Sequence, residues 1–387
     1  MQLLRVVSAI SMMVPAVLAQ PGDGSVPAPS NVRGGQYPRI HPDLRVTFRV
    51  RAPEARTVAV LPSGSDNGMG RGPFEMTRGG DGVWSVTTPP VRPGFHYYEL
   101  VMDGFRCNDP ASETYFGWAK PTSGLEVPDP ALTFHDARPV PHGAVRIHHY
   151  HSKVTGGLRR AFVYTPPGYD REAKRRYPVL YLQHGAGESE RGWTAQGRAN
   201  FILDNLIAEG KARPMIVVME NGYASIAGTP AAGAGPPAAG ARGNEGFARL
   251  VTEDLIPEID SAYRTVKNRE QRAIAGLSMG AGQAMQTGLG HLELFAWIGA
   301  FSGGVLADFD PQKSFGGALA DIAAANKKIK LLWIGYGELD GRYSTGKAMH
   351  AAMEKAGVRH VWFEGPGSHE WQVWRKHLRD FAPRLFR

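Results

Sequence analysis

The chain has 387 residues, 42% of them hydrophobic and 21% charged. That is a globular composition, which excludes extended disorder and at roughly 150 residues per domain predicts two domains or three. The formal charge of +8 comes from Lys and Arg in short scattered pairs such as Arg159-Arg160, with no zinc-finger, P-loop or RNA-recognition motif, so it reads as solvated surface and not as a nucleic-acid partner site. A single cysteine, Cys107, excludes an intrachain disulfide framework and a cysteine-built zinc site.

In chain order, Arg5 precedes the apolar run Val6 to Val14, and Val17-Leu18-Ala19 supplies the small residues of a cleavage site. Residues 1–19 are therefore expected to be a secretory signal, and the mature protein to be secreted or periplasmic and to meet no membrane after cleavage. A Pro/Gly/Ser linker is expected over 20–37. From 38 to 136 apolar residues alternate: Val46, Phe48 and Val50; Val58 and Val60; Trp84 and Val86; Tyr98, Leu100 and Met102. Turn signals such as Gly79-Gly80-Asp81-Gly82, Arg92-Pro93-Gly94 and Asp103-Gly104 separate them, which predicts a small all-β immunoglobulin-like sandwich. The segments Phe48 to Pro53, Gly82-Val83-Trp84, Pro93 to Tyr98 and Asp103-Gly104 resemble the early-set domain related to family 48 carbohydrate-binding modules. The resemblance implies a domain placed before a catalytic one, either as a docking unit or as a sugar binder. Trp84 is then a sugar platform or a core residue.

Beyond this the rhythm changes, and 137–387 reads as an α/β domain. Arg159 to Thr165, Val179 to Gln183 and Met215 to Met219 are strand-like, while Phe201, Leu203, Leu206 and Ile207, and then Phe247, Leu250, Val251 and Leu255, have helical spacing. Short apolar strands alternating with amphipathic helices predict a mostly parallel sheet with helices on both faces. Thr229 to Gly243, almost entirely Ala, Gly and Pro, is expected to form a loop near the carboxyl ends of the strands, as a substrate entrance or a tolerated insertion.

Gly276-Leu277-Ser278-Met279-Gly280 places G-x-S-x-G between a short apolar strand and a helix-compatible run beginning at Gln283, the setting of a nucleophile elbow. A serine hydroxyl needs an imidazole to take its proton and a carboxylate to orient that imidazole. Downstream, the strand Leu331 to Gly337 runs into Glu338-Leu339-Asp340, which makes Asp340 the acid, with Glu338 as fallback and Asp308 and Asp310 as weaker candidates. The strand Val358 to Phe363 leads to Gly367-Ser368-His369, which makes His369 the base; His350, His360 and His377 lie in regular elements. The oxyanion donors are expected to be the amides of Met279, after the nucleophile, and of Ala186, in His184-Gly185-Ala186-Gly187. Trp193, Gln283, Tyr343 and Trp371 are candidates for substrate contact, with core packing an equal explanation for the aromatic ones. Of His148, His149 and His151, only His149 and His151 face the same side of a probable strand, with no obvious third ligand, so no metal site is expected.

Tyr181 to Gly185, Asp254 to Asp260 with Tyr263-Arg264-Thr265, Gly276 to Gly280, Gly337 to Asp340 and Gly367 to Trp371 resemble the esterase D-like family, closest to carbohydrate esterase family 1. The resemblance covers about Pro141 to Arg387 and implies an α/β-hydrolase fold with nucleophile, acid and base on Ser278, Asp340 and His369. It also implies a cofactor-free carboxylic-ester hydrolase acting on plant cell-wall polysaccharide esters, foremost feruloyl groups on arabinoxylan. Acetyl xylan and ferric-siderophore esters are the alternatives within enzymes. A carbohydrate-binding protein with a degenerate hydrolase domain is the alternative outside them.

Overall fold

The computed structural model describes residues 22–64, 68–229 and 241–387. The signal expected over 1–19 and the central part of the Ala/Gly/Pro stretch lie outside the described residues.

The first domain is two antiparallel sheets, one centred on Val46–Arg51 and Val83–Thr87, the other on Gly94–Met102, Lys120–Val127 and Val58–Pro62. Val46, Phe48, Val58, Val60, Tyr98 and Leu100 meet between them in one buried core, as the alternation requires. Trp84 belongs to that core. It is 6% exposed and its Nε1 donates to Ala52 O at 2.9 Å, so a sugar platform at this residue is ruled out by burial. The expected linker is corrected from residue 22 onward: Val26–Pro27 pairs with Arg39–Ile40, and Asn31 bridges Ser112. Proline removes a donor but not an extended conformation, so a Pro-rich segment can still serve as a sheet edge.

In the second domain eight strands form one sheet: β1 Ala144–Ser152, β2 Gly157–Thr165, β3 Val179–Gln183, β4 Ile216–Glu220, β5 Arg272–Leu277, β6 Trp297–Phe301, β7 Leu331–Gly337 and β8 Val361–Gly365, in the order β1-β2-β4-β3-β5-β6-β7-β8. β1, β2 and β4 pair antiparallel, and every other pairing is parallel. β3 to β6 are buried at every residue, as strands covered on both faces must be. One face packs on α1 (Ala199–Ala208) and α4 (Trp371–Phe381); the other packs on α2 (Met279–Gly290) and α3 (Tyr343–Ala356). The helical spacing of Phe247 to Leu255 is also met, with all four apolar residues buried, but Leu250–Leu255 is wound as a π-helix.

The two domains are bolted together beside α4. Arg375, 1% exposed, donates to both oxygens of the sandwich residue Glu126 at 2.8 and 2.9 Å, and its Nε donates to Gln196 O at 2.9 Å. Gly94 lies so close to the same helix that a Cβ there would stand 2.6 Å from Gln372 Cδ. The sandwich is thereby fixed over the carboxyl ends of the parallel strands, where an open α/β sheet keeps its reactive groups.

Candidate active site

At the end of β5 the chain turns sharply into α2, and Ser278 sits at the corner with φ 52° and ψ −114°. A non-glycine residue held there costs about 1–3 kcal/mol, which the surrounding structure must offset. The offset is visible: the Ser278 amide donates to Phe301 O of β6 at 2.8 Å, and the flanking glycines let the strands close in. A Cβ on Gly276 would stand 2.5 Å from the Gly280 carbonyl carbon, and one on Gly280 would stand 2.5 Å from His184 O. Gly280→Ala is accordingly expected to displace the elbow and lower any turnover that depends on Ser278 by about 100-fold in steady-state kinetics, the usual effect of an ångström-scale misplacement.

Asp340 follows β7 and His369 follows β8, and the two loops touch because Gly337 leaves room for the Gly367 carbonyl 2.3 Å from where its Cβ would be. The Leu339 amide donates to that carbonyl at 2.9 Å. His369 Nδ1 lies 2.8 Å from Asp340 Oδ2, and His369 Nε2 lies 2.9 Å from Ser278 Oγ. Burial opposes ionisation of Asp340, but the hydrogen bond and charge of His369 and the Arg342 amide outweigh it and hold the carboxyl below its ordinary value. The structure thus brings together three side chains spread over 92 residues of sequence. The competing candidates stand apart. Glu338 is exposed, Asp310 accepts from the Gln312 amide of its own turn, His350 and His360 bond each other at 2.8 Å, and His377 is buried against Trp333. His148 is paired with Glu258 at 3.0 Å.

The loop Gly185 to Gly187 faces Ser278. The Gly185 amide donates to Glu188 Oε2 at 3.2 Å and the Gly187 amide to Tyr223 Oη at 2.6 Å, and Ala186 lines the pocket between them. The Met279 amide is the first of α2, where no helical carbonyl precedes it and the helix dipole favours negative charge. His184 supports this arrangement from beneath: burial pushes its imidazole down to about 4, and the neutral ring bonds Gly185 O through Nδ1 at 2.8 Å while Nε2 accepts from the Gly222 amide at 2.9 Å.

The pocket over Ser278 is walled by residues of both domains. Leu277, Trp371 and Trp374 come from the α/β domain, and Phe95, Tyr97 and Trp118 come from the sandwich. It is a small pocket, about 150 Å³ in volume. Of the four side chains expected to touch substrate, Trp371 alone lines it. Trp193 is fully buried behind Trp371, its Nε1 donating to Gln183 O at 2.9 Å; the ring is a support for the wall and not its surface. Gln283 is turned into the core, where its Nε2 donates to Gly222 O at 2.8 Å. Tyr343 donates to Glu364 Oε2 at 2.7 Å and does not line the pocket. Glu188, which lines the pocket at 6% exposure and is pushed up to about 7 by burial, was not among the expected site residues, nor were the sandwich aromatics. A signal for the latter exists in the strand Gly94–Met102: Phe95 and Tyr97 occupy one register while Tyr98 and Leu100 occupy the other, so both of its faces had to be covered.

The Esterase family model matches residues 152–385. The chain belongs to the Esterase family. The esterase is 36% identical over 381 residues, 95% of its length, to an endo-1,4-beta-xylanase/feruloyl esterase of Xylanibacter ruminicola, but spans only 48% of that protein. Among solved structures, a ferulic acid esterase of Anaeromyces mucronatus is 27% identical, with a TM-score of 0.57 over 67% of this chain and 96% of that one. The enterobactin esterase of Shigella flexneri, 18% identical, matches 88% of this chain and 93% of its own at a TM-score of 0.63, which shows the same fold across both domains. The chain therefore has an α/β-hydrolase domain of the Esterase family behind a β-sandwich.

Proposed function

We propose that this esterase releases hydroxycinnamates, foremost ferulate, from arabinoxylan by a Ser278-His369-Asp340 mechanism. The observation that carries the substrate is the aromatic wall around Ser278: Phe95, Trp371 and Trp374, each at most 5% exposed, form an apolar slot suited to a planar aromatic acyl group. Ser278 Oγ attacks the ester carbonyl while its proton passes to His369 Nε2, and Asp340 holds the imidazolium that forms. The amides of Ala186 and Met279 receive the oxyanion. His369 then returns the proton to the departing sugar alcohol, and water, deprotonated by the same imidazole, releases the acid and restores Ser278. Export through residues 1–19 belongs to the same proposal, since a polymeric cell-wall substrate has to be met outside the cell.

Burying one aromatic ring contributes about 1.5–3 kcal/mol, which predicts a kcat/KM for methyl ferulate about 10- to 100-fold above that for methyl acetate. Equal values would remove the feruloyl assignment and favour an acetyl ester. A catecholate siderophore ester would call for free cations at the pocket. Arg191 and Arg198, the arginines nearest in sequence to the oxyanion loop, do not line that pocket, and Arg198 is tied to Glu126 and Asp136. Trp118, 57% exposed at the pocket rim, is placed to stack on the sugar side. Trp118→Ala is expected to raise KM for a feruloylated arabinoxylan oligosaccharide by about 2- to 10-fold more than KM for methyl ferulate, as loss of one stacking contact does.

A further inference from the structure

The turn Gly117 to Lys120 joins the sandwich strands Thr114–Gly117 and Lys120–Val127 and lies flat against the loop Gly185 to Gly187. Its two central residues, Trp118 and Ala119, have φ 58° and 61°, the mirror-image turn geometry that matches hairpin twist but is uncommon for residues other than glycine, asparagine and aspartate. That geometry sends the Ala119 amide out of the hairpin and onto Gly187 O at 2.7 Å. The contact is close enough that a Cβ on Gly187 would stand 3.2 Å from the Trp118 Cα and the Ala119 nitrogen.

A second contact reaches the other end of the loop. Tyr97 Oη donates to Glu188 Oε1 at 3.3 Å, and Glu188 Oε2 accepts from the Gly185 amide. Tyr97 is fixed in turn by donors from the α/β domain, Gln196 Nε2 and Trp371 Nε1. Its ring lies against Gly117, where a Cβ would come within 2.4 Å of Tyr97 Cζ, so the two contacts form one rigid face of the sandwich.

Gly185-Ala186-Gly187 has two glycines in three residues, the composition with the largest backbone entropy to lose on ordering. Left to itself such a loop would not hold one amide in one direction. The sandwich bonds Gly187 directly and Gly185 through Glu188, so both neighbours of Ala186 are held from the first domain, which a domain serving only to dock or to recruit sugar has no need to do. We propose that the sandwich domain completes the oxyanion hole, with Ala119 and the Tyr97-Glu188 pair as positioning residues that hold the Ala186 amide on target. The inference rests on Ser278 being the nucleophile of an ester hydrolase and goes beyond it, because it makes turnover of even a minimal ester depend on the first domain.

The test uses the full chain and p-nitrophenyl acetate, whose acyl group needs no aromatic wall. Tyr97→Phe and Glu188→Ala are each expected to lower kcat by about 10- to 100-fold, a part or all of the effect of losing one oxyanion donor, with KM changed by less than about twofold. Glu188→Gln, which keeps an acceptor for the Gly185 amide, recovers most of that loss. Affinity for a trifluoromethyl ketone, whose adduct with Ser278 places an oxyanion in the hole, falls by the same factor as kcat. If Ser278→Ala is inactive while Tyr97→Phe and Glu188→Ala keep the parent kcat, or lose kcat with unchanged ketone affinity, the positioning role is overturned and the mechanism stands. Activity surviving in Ser278→Ala overturns the mechanism itself.

Discussion

Ser278→Ala is expected to lower kcat for methyl ferulate by about 10⁶-fold while leaving KM and thermal unfolding close to the parent, because the hydroxyl forms the bond that splits one difficult hydrolysis into two easier steps. Among the described residues the other group bonded to His369 Nε2, beyond Ser278 Oγ at 2.9 Å, is the Arg342 guanidinium at 3.4 Å, which is no nucleophile. Asp340→Asn should cost about 10⁴-fold, since an amide in that place favours the tautomer with the proton on the wrong nitrogen. The two losses should not multiply. Once the hydroxyl is gone, His369 has no proton to accept, and Ser278→Ala/Asp340→Asn should be no slower than Ser278→Ala alone. Pre-steady-state measurement with p-nitrophenyl acetate checks the same point, as the parent releases a burst of nitrophenolate equal to the enzyme present and Ser278→Ala releases none. A residual rate in Ser278→Ala within tenfold of the parent would remove the assignment.

How far the site could be read from sequence follows from the range of the interactions involved. Ser278, Asp340 and His369 each sit one to four residues past a short apolar strand, and strand ends are local signals: an apolar run, then glycine, then a polar residue. The parallel sheet converts these local signals into a common edge, so chain order alone was enough to nominate them. β6 gave a weaker signal, because Trp297 to Phe301 has Gly299 and Ala300 at its centre, and a Cβ on Gly299 would collide with Phe381 at 2.9 Å. A strand thinned to admit a neighbouring helix loses the apolar run that marks it.

The pocket walls were not legible for the opposite reason. Trp193 and Trp371 are both tryptophans close in sequence to reactive loops, and only their packing, one ring edge-on behind the other at 5.4 Å, separates support from surface. Phe95, Tyr97 and Trp118 reach Ser278 from a different domain, across more than 150 residues of chain. Their role depends on how the domains dock, which no local pattern encodes. The determinants of docking were themselves visible only as unremarkable residues: a glutamate on a strand, Glu126, and an arginine on an amphipathic helix, Arg375.

That pair carries the second large effect. Arg375→Met is expected to destabilise the protein by about 3–5 kcal/mol in urea unfolding, the cost of leaving a buried charge without its partner. Glu126 is 4% exposed, and burial alone would keep it neutral; the Arg375 charge and hydrogen bonds, with His135 and Arg198 behind them, overcome this and hold its carboxyl far below the ordinary value. A depressed carboxylate stabilises the folded state fully above its unfolded value of about 4.5, and this contribution is lost as pH falls toward the folded value, so the parent should be most acid-sensitive well below pH 4. Arg375→Met removes the largest attraction and leaves only Arg198 and His135 against the desolvation, so Glu126 should take up a proton nearer neutrality and the variant should weaken at a higher pH than the parent. Arg375→Lys keeps the charge but not the two parallel bonds and should fall between. The double variant Arg375→Met/Glu126→Leu should be more stable than Arg375→Met, since no orphaned charge remains. Because α4 begins two residues after His369 and Arg375 sits on its second turn, loss of this bolt should also loosen the base, and kcat should drop in Arg375→Met even where the protein is folded. A single variant within about 0.5 kcal/mol of the parent would mean that the apolar contacts beside α4 dock the domains and that the ion pair only sets their register.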